Sequence, residues 1–298
     1  KLLQSISGEI NQFMNNISSG IGMLDVYLGM YKLSKEYNYV RPNIVESDKS
    51  YIRTNRLRHP LIERKSTYVP QDIILGIDDQ CGMLLYGVNQ SGKSCTMKSI
   101  GIAVILAQTG FFVPAQSFEF SPYYLLSTRI LGNDSIDRGL STFAVEMIEL
   151  RSILTRCNSR SLALGDEVCH GTESASAVAI VAASINHLSE AESSFIFATH
   201  LHELSKMEEV LSLTNVNHYH LSIDFSGDQI IYSRTMKSGS GLGLYGIEVA
   251  KHLKIPSNVL EKAYEIRNKY YSNTTKLSDL KQSRYNSNVI LSDCKITG

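Results

Sequence analysis

The sequence predicts an α/β fold in which a mostly parallel sheet is flanked by helices, with a helical segment before it and further helices after it. The first observation is that short apolar runs with strand character alternate with helical runs from Met83 to Ala198. Strands are expected at 83–88, 124–131, 161–166 and 194–198, and helices at 93–108, 143–157 and 173–189. Such alternation is typical of parallel strands whose connecting helices cover both faces of the sheet. The second observation is a glycine-rich loop between the first of these strands and the first helix, and the third is a pair of carboxylates ending the strand at 161–166.

The segments that flank this region divide the chain into three parts. Residues 5–38 carry apolar side chains at helical spacing, and the helix is expected to end before Pro42 because a residue that precedes proline disfavours helical dihedrals. Residues 51–75 have a strand-and-loop pattern, and 216–224 with 229–236 are predicted to form a hairpin, followed by helices near 246–253 and 256–271. The polar tail from residue 272 is interpreted as a linker. We therefore expect parts at 1–42, 43–271 and 272–298.

Length and composition exclude few classes of function. The 298 residues provide enough core for one large domain or two smaller ones, and 29 basic residues balance 29 acidic ones, so the net charge does not favour a polyanionic partner. The five cysteines show no paired spacing, which favours a reducing, intracellular compartment. They are Cys81, Cys95, Cys157, Cys169 and Cys294. No apolar run reaches membrane-spanning length, so no membrane partner is expected, and a start at Lys1 rather than Met indicates a piece of a longer protein.

The glycine-rich loop matches the phosphate-binding pattern G-x-x-x-x-G-K-[ST]. Its residues are Gly87, Val88, Asn89, Gln90, Ser91, Gly92, Lys93 and Ser94, and Cys95 follows in the first turn of the helix. Glycines let successive backbone N–H groups turn toward a phosphate, and the following helix presents its positive end. Lys93 is expected to reach the β- and γ-phosphates of a nucleotide, and the Ser94 hydroxyl to ligate Mg²⁺.

A second anchor for the metal is predicted where the strand at 161–166 ends. Asp166 is expected to hold Mg²⁺ through its water shell, and Glu167 to polarise the attacking water. The alternative is that two acids at a strand end form only a solvated turn or a helix cap. The position of the pair downstream of a phosphate loop, at a spacing compatible with adjacent strands, favours the metal and catalytic interpretation.

Two further segments carry candidate residues for the γ-phosphate. The strand at 194–198 ends in Thr199-His200, and a histidine at the carboxyl edge of a parallel sheet faces the ligand crevice, although His200 could instead cap the helix expected at 201–206. His202 is expected at the surface. Ser141 or Thr142 is expected to cap the helix at 143–157, and Glu146 has the spacing for reciprocal capping. Alternatively, this pair of hydroxyls at a helix N-terminus could contact a γ-phosphate bound to a second subunit. The other histidines are scattered, which argues against a zinc site.

These motifs, in this order, resemble the ATPase domain of the MutS family of DNA mismatch-repair proteins. The resemblance runs from about Leu24 to Ile266 and rests on several separate segments besides the phosphate loop and the acid pair. They are Arg58–Glu63, Tyr68–Asp72, Phe112–Ala115, Thr128–Ile130, Ser141–Met147, Gly171–Glu173, Phe197–Leu204 and Tyr245–Lys251. Chance agreement at so many ordered positions is negligible.

The resemblance implies an ATP-driven clamp of the ABC-like P-loop type. It gives Tyr68 the role of stacking on adenine, implies ATP and Mg²⁺ as cofactors, and implies a homodimer in which each composite site takes Ser141 from the partner. Mismatched duplex DNA would be gripped mainly by domains upstream of this chain. Residues 1–42 then correspond to the end of a helical lever, and 43–271 to the ATPase and dimerisation domain.

Some positions depart from the bacterial members of this family. Gln90-Ser91 stands where Met-Gly is usual, and Cys95 where Thr is usual; neither change removes a catalytic group. The segment 164–173 and the segment 130–134 resemble a branch found in organelles, large DNA viruses and some bacteria, so a mitochondrial or viral association is open. The tail from Ser283 resembles the lead-in to an HNH nuclease module, but Thr297 stands in place of the second cysteine after Cys294, so no zinc site is predicted.

Two other classes fit part of the pattern. Another dimeric P-loop ATPase head, of the ABC-transporter or chromosome-tethering type, would carry a Ser-Gly-Gly signature before the acid pair, whereas this chain has Ser141-Thr142-Phe143. A nucleotide-gated scaffold that binds ATP with little hydrolysis would keep the same residues, because Glu167 provides the capacity for hydrolysis and does not set its rate.

Overall fold

A computed structural model describes residues 2–130, 142–226, 229–241 and 246–271. In chain order the elements are α1 (Leu2–Tyr37), β1 (Asn43–Ile44), β2 (Tyr51–Leu57), β3 (Gln71–Leu75), β4 (Gly82–Tyr86), α2 (Lys93–Gln108), β5 (Ser117–Ser121), β6 (Leu125–Arg129), α3 (Thr142–Arg156), β7 (Ser161–Asp166), α4 (Ser174–Glu190), β8 (Ser194–Thr199), a 3₁₀ helix (His202–Lys206), α5 (Glu208–Leu211), β9 (Val216–Leu221), β10 (Asp224–Ser226), β11 (Gln229–Ile231), β12 (Met236–Ser238), α6 (Gly246–His252) and α7 (Ser257–Tyr271). The chain forms two compact units. The first unit consists of Lys1–Asp224 and Tyr232–Gly243. The second unit consists of Phe225–Ile231 and the part of the chain that contains α6 and α7.

The central sheet of the first unit has six strands in the order β12-β9-β4-β8-β7-β6. Its five strands from β9 to β6 are parallel, and only β12 at the edge runs antiparallel to its neighbour. This confirms the predicted fold class. The phosphate loop follows β4 and the acid pair ends β7, but β8 lies between these two strands, so they are not the adjacent strands that the spacing had allowed.

Alternating side chains of the parallel strands enter two separate cores, one on each face of the sheet. On β8, Phe195 and Phe197 join the core formed with α3 and α4, whereas Ile196 joins the core formed with α2. The second core also contains the inner face of a four-stranded sheet of order β1-β5-β2-β3. Every residue of β4, β7 and β8 is buried, which explains why their central positions are apolar in succession rather than in alternation.

The predicted hairpin differs from the observed pairing. The residues at 216–224 and 229–236 do contain strands, but β9 pairs with β12 in the main sheet, whereas β10 and β11 pair with each other in a separate two-stranded sheet. The turn residues Gly227 and Asp228, the segment 131–141 that includes Ser141, and the tail from 272 lie outside the described residues.

The helix predicted at 5–38 is α1, which spans Leu2–Tyr37 and is followed by Asn38 with φ 54°. Along the part with described side chains it exposes large apolar residues, including Phe13, Leu24 and Leu28. Among the described helices none is long and apolar enough to cross a bilayer. In the second unit, Arg267 of α7 pairs with Glu248 of α6 at 3.3 Å.

Candidate nucleotide-binding site

The phosphate loop connects β4 to α2, and at two of its positions the backbone has a conformation that only glycine adopts easily. Gly87 has φ 152°, and a Cβ there would lie 2.8 Å from Ser91 Oγ. Gly92 has φ 108° and is the residue immediately before α2, while Gln90 has φ 66°. These conformations curl the loop over the first turn of α2, where the unpaired N–H groups and the helix dipole favour an anion.

Lys93 is folded back onto this loop. Its Nζ donates to the carbonyl oxygens of Gly87 at 2.7 Å and Val88 at 3.2 Å, and the residue is only 4% exposed. Burial lowers the pKa of Lys93, while the nearby charges of Glu167 and Asp166 act in the opposite direction. The described hydrogen bonds of this ammonium go to carbonyl oxygens, and the nearest carboxylate oxygen, of Glu167, lies 3.8 Å away, so a phosphate oxygen could replace the carbonyls as a charged acceptor.

A cavity of about 390 Å³ opens above the loop. The predicted nucleotide-binding residues that line it are Tyr68, Val88, Asn89, Gln90, Ser91, Gly92, Lys93, Ser94 and Cys95, together with the predicted catalytic Glu167. A cavity of this size is in the range that holds a nucleotide-sized ligand. The fold therefore brings together two segments, one before β3 and one after β4, that the sequence analysis had joined only through a resemblance.

Tyr68, which precedes the phosphate loop in sequence, also lines this cavity. Its hydroxyl oxygen is buried near the hydroxyls of Thr96 and Ser99 without reaching hydrogen-bond geometry, and burial raises the pKa of Tyr68. The ring centroid lies 6.5 Å from that of His59. An aromatic ring on the cavity wall with an apolar neighbour, Ile62, is suited to stack on a planar base.

The two acids differ in their surroundings. Asp166, the last residue of β7, is 3% exposed, and its Oδ1 has no hydrogen-bond partner among the described residues. Glu167 has φ 50°, and its N–H donates to the carbonyl of Ala198. Its carboxylate faces three groups that carry or can carry positive charge, since Oε1 lies 3.8 Å from Lys93 Nζ and 4.0 Å from His200 Nδ1, and Oε2 lies 4.0 Å from His170 Nε2.

His200 follows β8 at the carboxyl edge of the sheet, as predicted, with its side chain about half exposed. It lines a smaller cavity of about 140 Å³ that also touches Glu167 and His170. The sequence analysis gave His170 no role, yet its ring centroid is 6.0 Å from that of His200. Within the described part of the chain, no group of three or more His, Cys, Asp or Glu side chains could hold a metal ion by itself.

The expectation that His202 lies at the surface was wrong. Its ring packs on Tyr86 with centroids 5.4 Å apart, and burial lowers the pKa of His202. The cause is the 3₁₀ helix after β8, which turns back toward β4 and covers Tyr86. His218 also stacks on the Tyr86 ring, with centroids 5.7 Å apart, and its Nδ1 lies 3.3 Å from the Tyr86 hydroxyl.

The helix start at Ser141 and Thr142 is only partly described. Helix α3 begins at Thr142, close to the predicted boundary of 143, whereas Ser141 lies outside the described residues. The predicted capping contact of Glu146 would involve Ser141 and therefore lies outside the described residues, but other contacts of Glu146 are described. It is 1% exposed, and its two oxygens contact Arg129 Nη2 at 2.9 Å and the N–H of Gly171 at 3.3 Å.

Among the cavity residues that sequence reasoning missed, Gln71 and Arg234 are joined by a hydrogen bond. The Gln71 amide donates to the carbonyls of Val69 at 3.1 Å and Arg234 at 2.7 Å, and its oxygen accepts from the N–H of Met236. This holds Arg234, with φ 56°, over the phosphate loop near Gly92. The partners are 163 positions apart, so no local pattern could have indicated the contact.

A parallel sheet with this loop after β4 and the acid pair after β7 defines a P-loop nucleotide-binding domain. The family model for MutS domain V, the ATPase domain, matches residues 83–270, well over half of the chain. The chain therefore belongs to the MutS family and contains its ATPase domain.

Three relatives illustrate the range of similar proteins. A DNA mismatch repair MutS homologue of Acanthamoeba polyphaga mimivirus is 38% identical over 325 residues, covering 95% of this chain and 29% of the relative. A mitochondrial DNA mismatch repair MutS homologue of Sarcophyton glaucum is 39% identical over 289 residues, covering 93% of this chain and 29% of the relative. The DNA mismatch repair protein MutS of Thermodesulfovibrio yellowstonii is 34% identical over 275 residues, covering 89% of this chain and 32% of the relative. The chain thus spans about three tenths of the length of these relatives.

Proposed function

We propose that this chain binds ATP with Mg²⁺ and hydrolyses it, as the ATPase domain of a MutS-like mismatch-repair protein. The nucleotide bound to this domain would control how that protein recognises a mismatch and how its clamp moves on DNA. The observation that carries the proposal is the convergence of Tyr68, the phosphate loop and Glu167 on one cavity of about 390 Å³. The aromatic ring suits the base of a nucleoside triphosphate, the loop suits its phosphates, and the carboxylate suits a water molecule that attacks the γ-phosphate.

The roles of the nucleotide-binding residues follow from their placement. Tyr68 would stack on the base, and the N–H groups from Asn89 to Ser94 would bind phosphate oxygens. Lys93 would exchange its bonds to the Gly87 and Val88 carbonyls for bonds to the β- and γ-phosphates. Arg234, beside Gly92, adds a cationic side chain to the same wall and has no ion-pair partner among the described residues.

The residues proposed for Mg²⁺ fit a hard divalent cation. Asp166 presents a buried carboxylate oxygen without a hydrogen-bond partner in the described structure, and Ser94 supplies a hydroxyl on the cavity wall. Oxygen donors of this kind are the ones Mg²⁺ prefers. When bound, the ion would neutralise charge on the β- and γ-phosphates.

Glu167 is proposed to orient and polarise the attacking water. Its carboxylate is turned toward Lys93 on the γ-phosphate side and toward His200, which would contact the γ-phosphate or the same water. In this position the carboxylate could accept a proton from a water molecule that attacks the γ-phosphate.

The whole-protein activity extends beyond this chain. We propose that two copies dimerise through this domain, that Ser141 of each contacts the other's nucleotide, and that mismatched DNA is bound mainly by other domains. The division at 42 and at 271 into lever end, ATPase domain and linker belongs to the same proposal. An intracellular location, viral or mitochondrial among the options, is in keeping with the viral and mitochondrial relatives.

The test is to measure ATP binding and steady-state hydrolysis for the wild type, Lys93→Ala and Glu167→Gln. Lys93→Ala should lose both phosphate affinity and turnover. Glu167→Gln should keep nucleotide affinity within about twofold but lose turnover by roughly 10²–10⁴-fold, because it removes the proton acceptor alone. If the wild type binds ATP without hydrolysing it, the chain is instead a nucleotide-gated scaffold. If neither Lys93→Ala nor Glu167→Gln weakens ATP binding, the proposed site is refuted.

A further inference from the structure

The loop that carries Glu167 is strained at two of its residues. Glu167 has φ 50° and Cys169 has φ 66°, a region that side chains other than glycine, Asn or Asp seldom occupy. Each such residue destabilises the loop by an amount that the surrounding structure must offset, so the conformation persists only where contacts hold it from both ends. The first end is held by β8, through the hydrogen bond from the Glu167 N–H to the Ala198 carbonyl.

The second end is held by a buried ion pair that belongs to neither the phosphate loop nor the acid pair. Arg129, the last residue of β6, contacts Glu146 of α3 at 2.9 Å, with side chains 9% and 1% exposed. The other oxygen of Glu146 accepts the N–H of Gly171 at 3.3 Å. Arg129 also lies 2.9 Å from the half-exposed Glu149, so its charge is compensated twice.

Gly171 is pressed against the start of α3 at the same point. A Cβ on Gly171 would lie 3.2 Å from the backbone nitrogen of Phe143 and 3.3 Å from its Cα. Between the two anchors, Cys169 is 2% exposed, and burial together with the charge of Glu146 raises its pKa to about 11. The strained loop is therefore enclosed between β8 on one side and the first turns of α3 on the other.

We propose that the Arg129–Glu146 pair is a positioning device for Glu167, holding the strained 167–171 loop against α3 so that the carboxylate stays at the phosphate end of the cavity. The proposal rests on the proposed ATPase function for its catalytic consequence. Neither Arg129 nor Glu146 lines the cavity, so neither is a candidate to touch the nucleotide.

An alternative is that the pair merely stabilises the fold, and two variants separate these roles. Glu146→Gln keeps an oxygen for Gly171 but leaves Arg129 without its buried counter-charge. The double variant Arg129→Met with Glu146→Leu replaces the pair by apolar side chains, an exchange that is often neutral or stabilising for a fold. It nevertheless removes the acceptor for the Gly171 N–H. Glu248→Gln, which breaks the partly buried pair with Arg267 in the second unit, is the matched control.

The readouts are melting temperature, hydrogen–deuterium exchange of the 166–173 amides without nucleotide, nucleotide affinity and steady-state hydrolysis at saturating ATP. For the double variant we expect a near-normal melting temperature, loop exchange faster by roughly tenfold or more, and a kcat lower by at least about tenfold with affinity within about twofold. The control should leave loop exchange and kcat unchanged.

If the double variant has the same loop protection and the same kcat as the wild type, the proposal is overturned, because an apolar pair would then position the loop as well as the charged pair does. Equal loss of affinity, kcat and melting temperature in both variants would also overturn it, by reducing the pair to a fold stabiliser. If the wild type hydrolyses no ATP, the proposed function fails, and the exchange comparison still decides whether the pair positions the loop.

Discussion

Tyr86 is the residue at which the core of the sheet meets the phosphate loop, since it is fully buried and directly precedes Gly87. Its ring packs against two imidazoles, those of His202 at 5.4 Å and His218 at 5.7 Å. Burial is the largest influence on both histidines and lowers the pKa of each below the ordinary 6.5. The stack that supports the base of the loop is therefore built from neutral imidazoles.

This arrangement predicts a stability that declines in mild acid. Below pH 6.5 the unfolded chain binds protons at these histidines that the folded chain does not yet bind, so the free energy of unfolding falls as the pH drops from 6.5 toward the lower folded-state pKa values. Above pH 6.5 both states are neutral at these positions and the contribution is constant. Urea unfolding between about pH 5 and pH 8 should show this slope, and His202→Phe, which keeps a ring on Tyr86, should reduce it. Equal slopes for the two proteins would contradict the assignment to His202.

At the scale of the elements, the approach of β7 to β8 depends on a residue without a side chain. A Cβ on Gly165 would lie 2.7 Å from Val168 Cγ2 and 2.8 Å from Phe197 Cδ1. Gly165 directly precedes Asp166 and Glu167, so whatever displaces β7 here also displaces both acids.

Gly165→Ala should therefore destabilise the protein by about 1–3 kcal/mol through overpacking, and it should lower turnover along with stability. Chemical denaturation gives the first quantity and hydrolysis per folded molecule the second. Gly22→Ala is the matched control, because Gly22 lies within α1 with nothing within 4 Å of its added Cβ. Alanine there should be neutral or stabilise the helix by about 0.5–1 kcal/mol. Similar losses from both substitutions would refute the packing argument.

The same elements indicate what could be predicted from the sequence alone. Helix α2 was predicted at 93–108 and spans Lys93–Gln108, because its start follows the loop glycine and its apolar content is continuous. The division of the hairpin between two sheets could not be predicted. β12 is three residues long, and the contacts of Gln71 with Arg234 and Met236 tie its approach to a distant part of the chain.

The candidate site likewise contains some residues that the local sequence marks and others that only tertiary packing brings together. The phosphate loop is contiguous, so its residues carry their own signal, and the acid pair is marked by the strand that it ends. His170, Arg234 and the Arg129–Glu146 pair are brought toward the cavity or its acid loop only by tertiary packing. Arg129, Glu146 and His170 lie in segments that carry the family resemblance, but their local sequence does not indicate which residues they contact. The error on His202 has the same origin, since the turn that buries it against Tyr86 is set by β4 rather than by its neighbours.

At the scale of the whole molecule, the described cavity already contains a base platform, a phosphate cradle and a candidate for activating water, all from one chain. What the proposed function adds is the hydroxyl of Ser141, supplied by a second copy. Hydrolysis should then depend on dimerisation, and activity per subunit should rise with protein concentration until the dimer saturates. Activity that stays flat per subunit at all concentrations would count against a composite site.

Mixing defective subunits tests this more sharply. In a dimer of Ser141→Ala with Lys93→Ala, one site combines the intact Lys93 of the first subunit with the intact Ser141 of the second, while the other site lacks both. Random pairing of equal amounts makes half of the dimers mixed, so the mixture should recover on the order of a quarter of wild-type activity although each variant alone is nearly inactive. Ser141→Ala mixed with the Lys93→Ala/Ser141→Ala double variant is the control, because it pairs to the same extent but creates no intact site. Recovery in the first mixture alone requires Ser141 to act across the interface, and equal activity in both mixtures would confine its role to its own subunit.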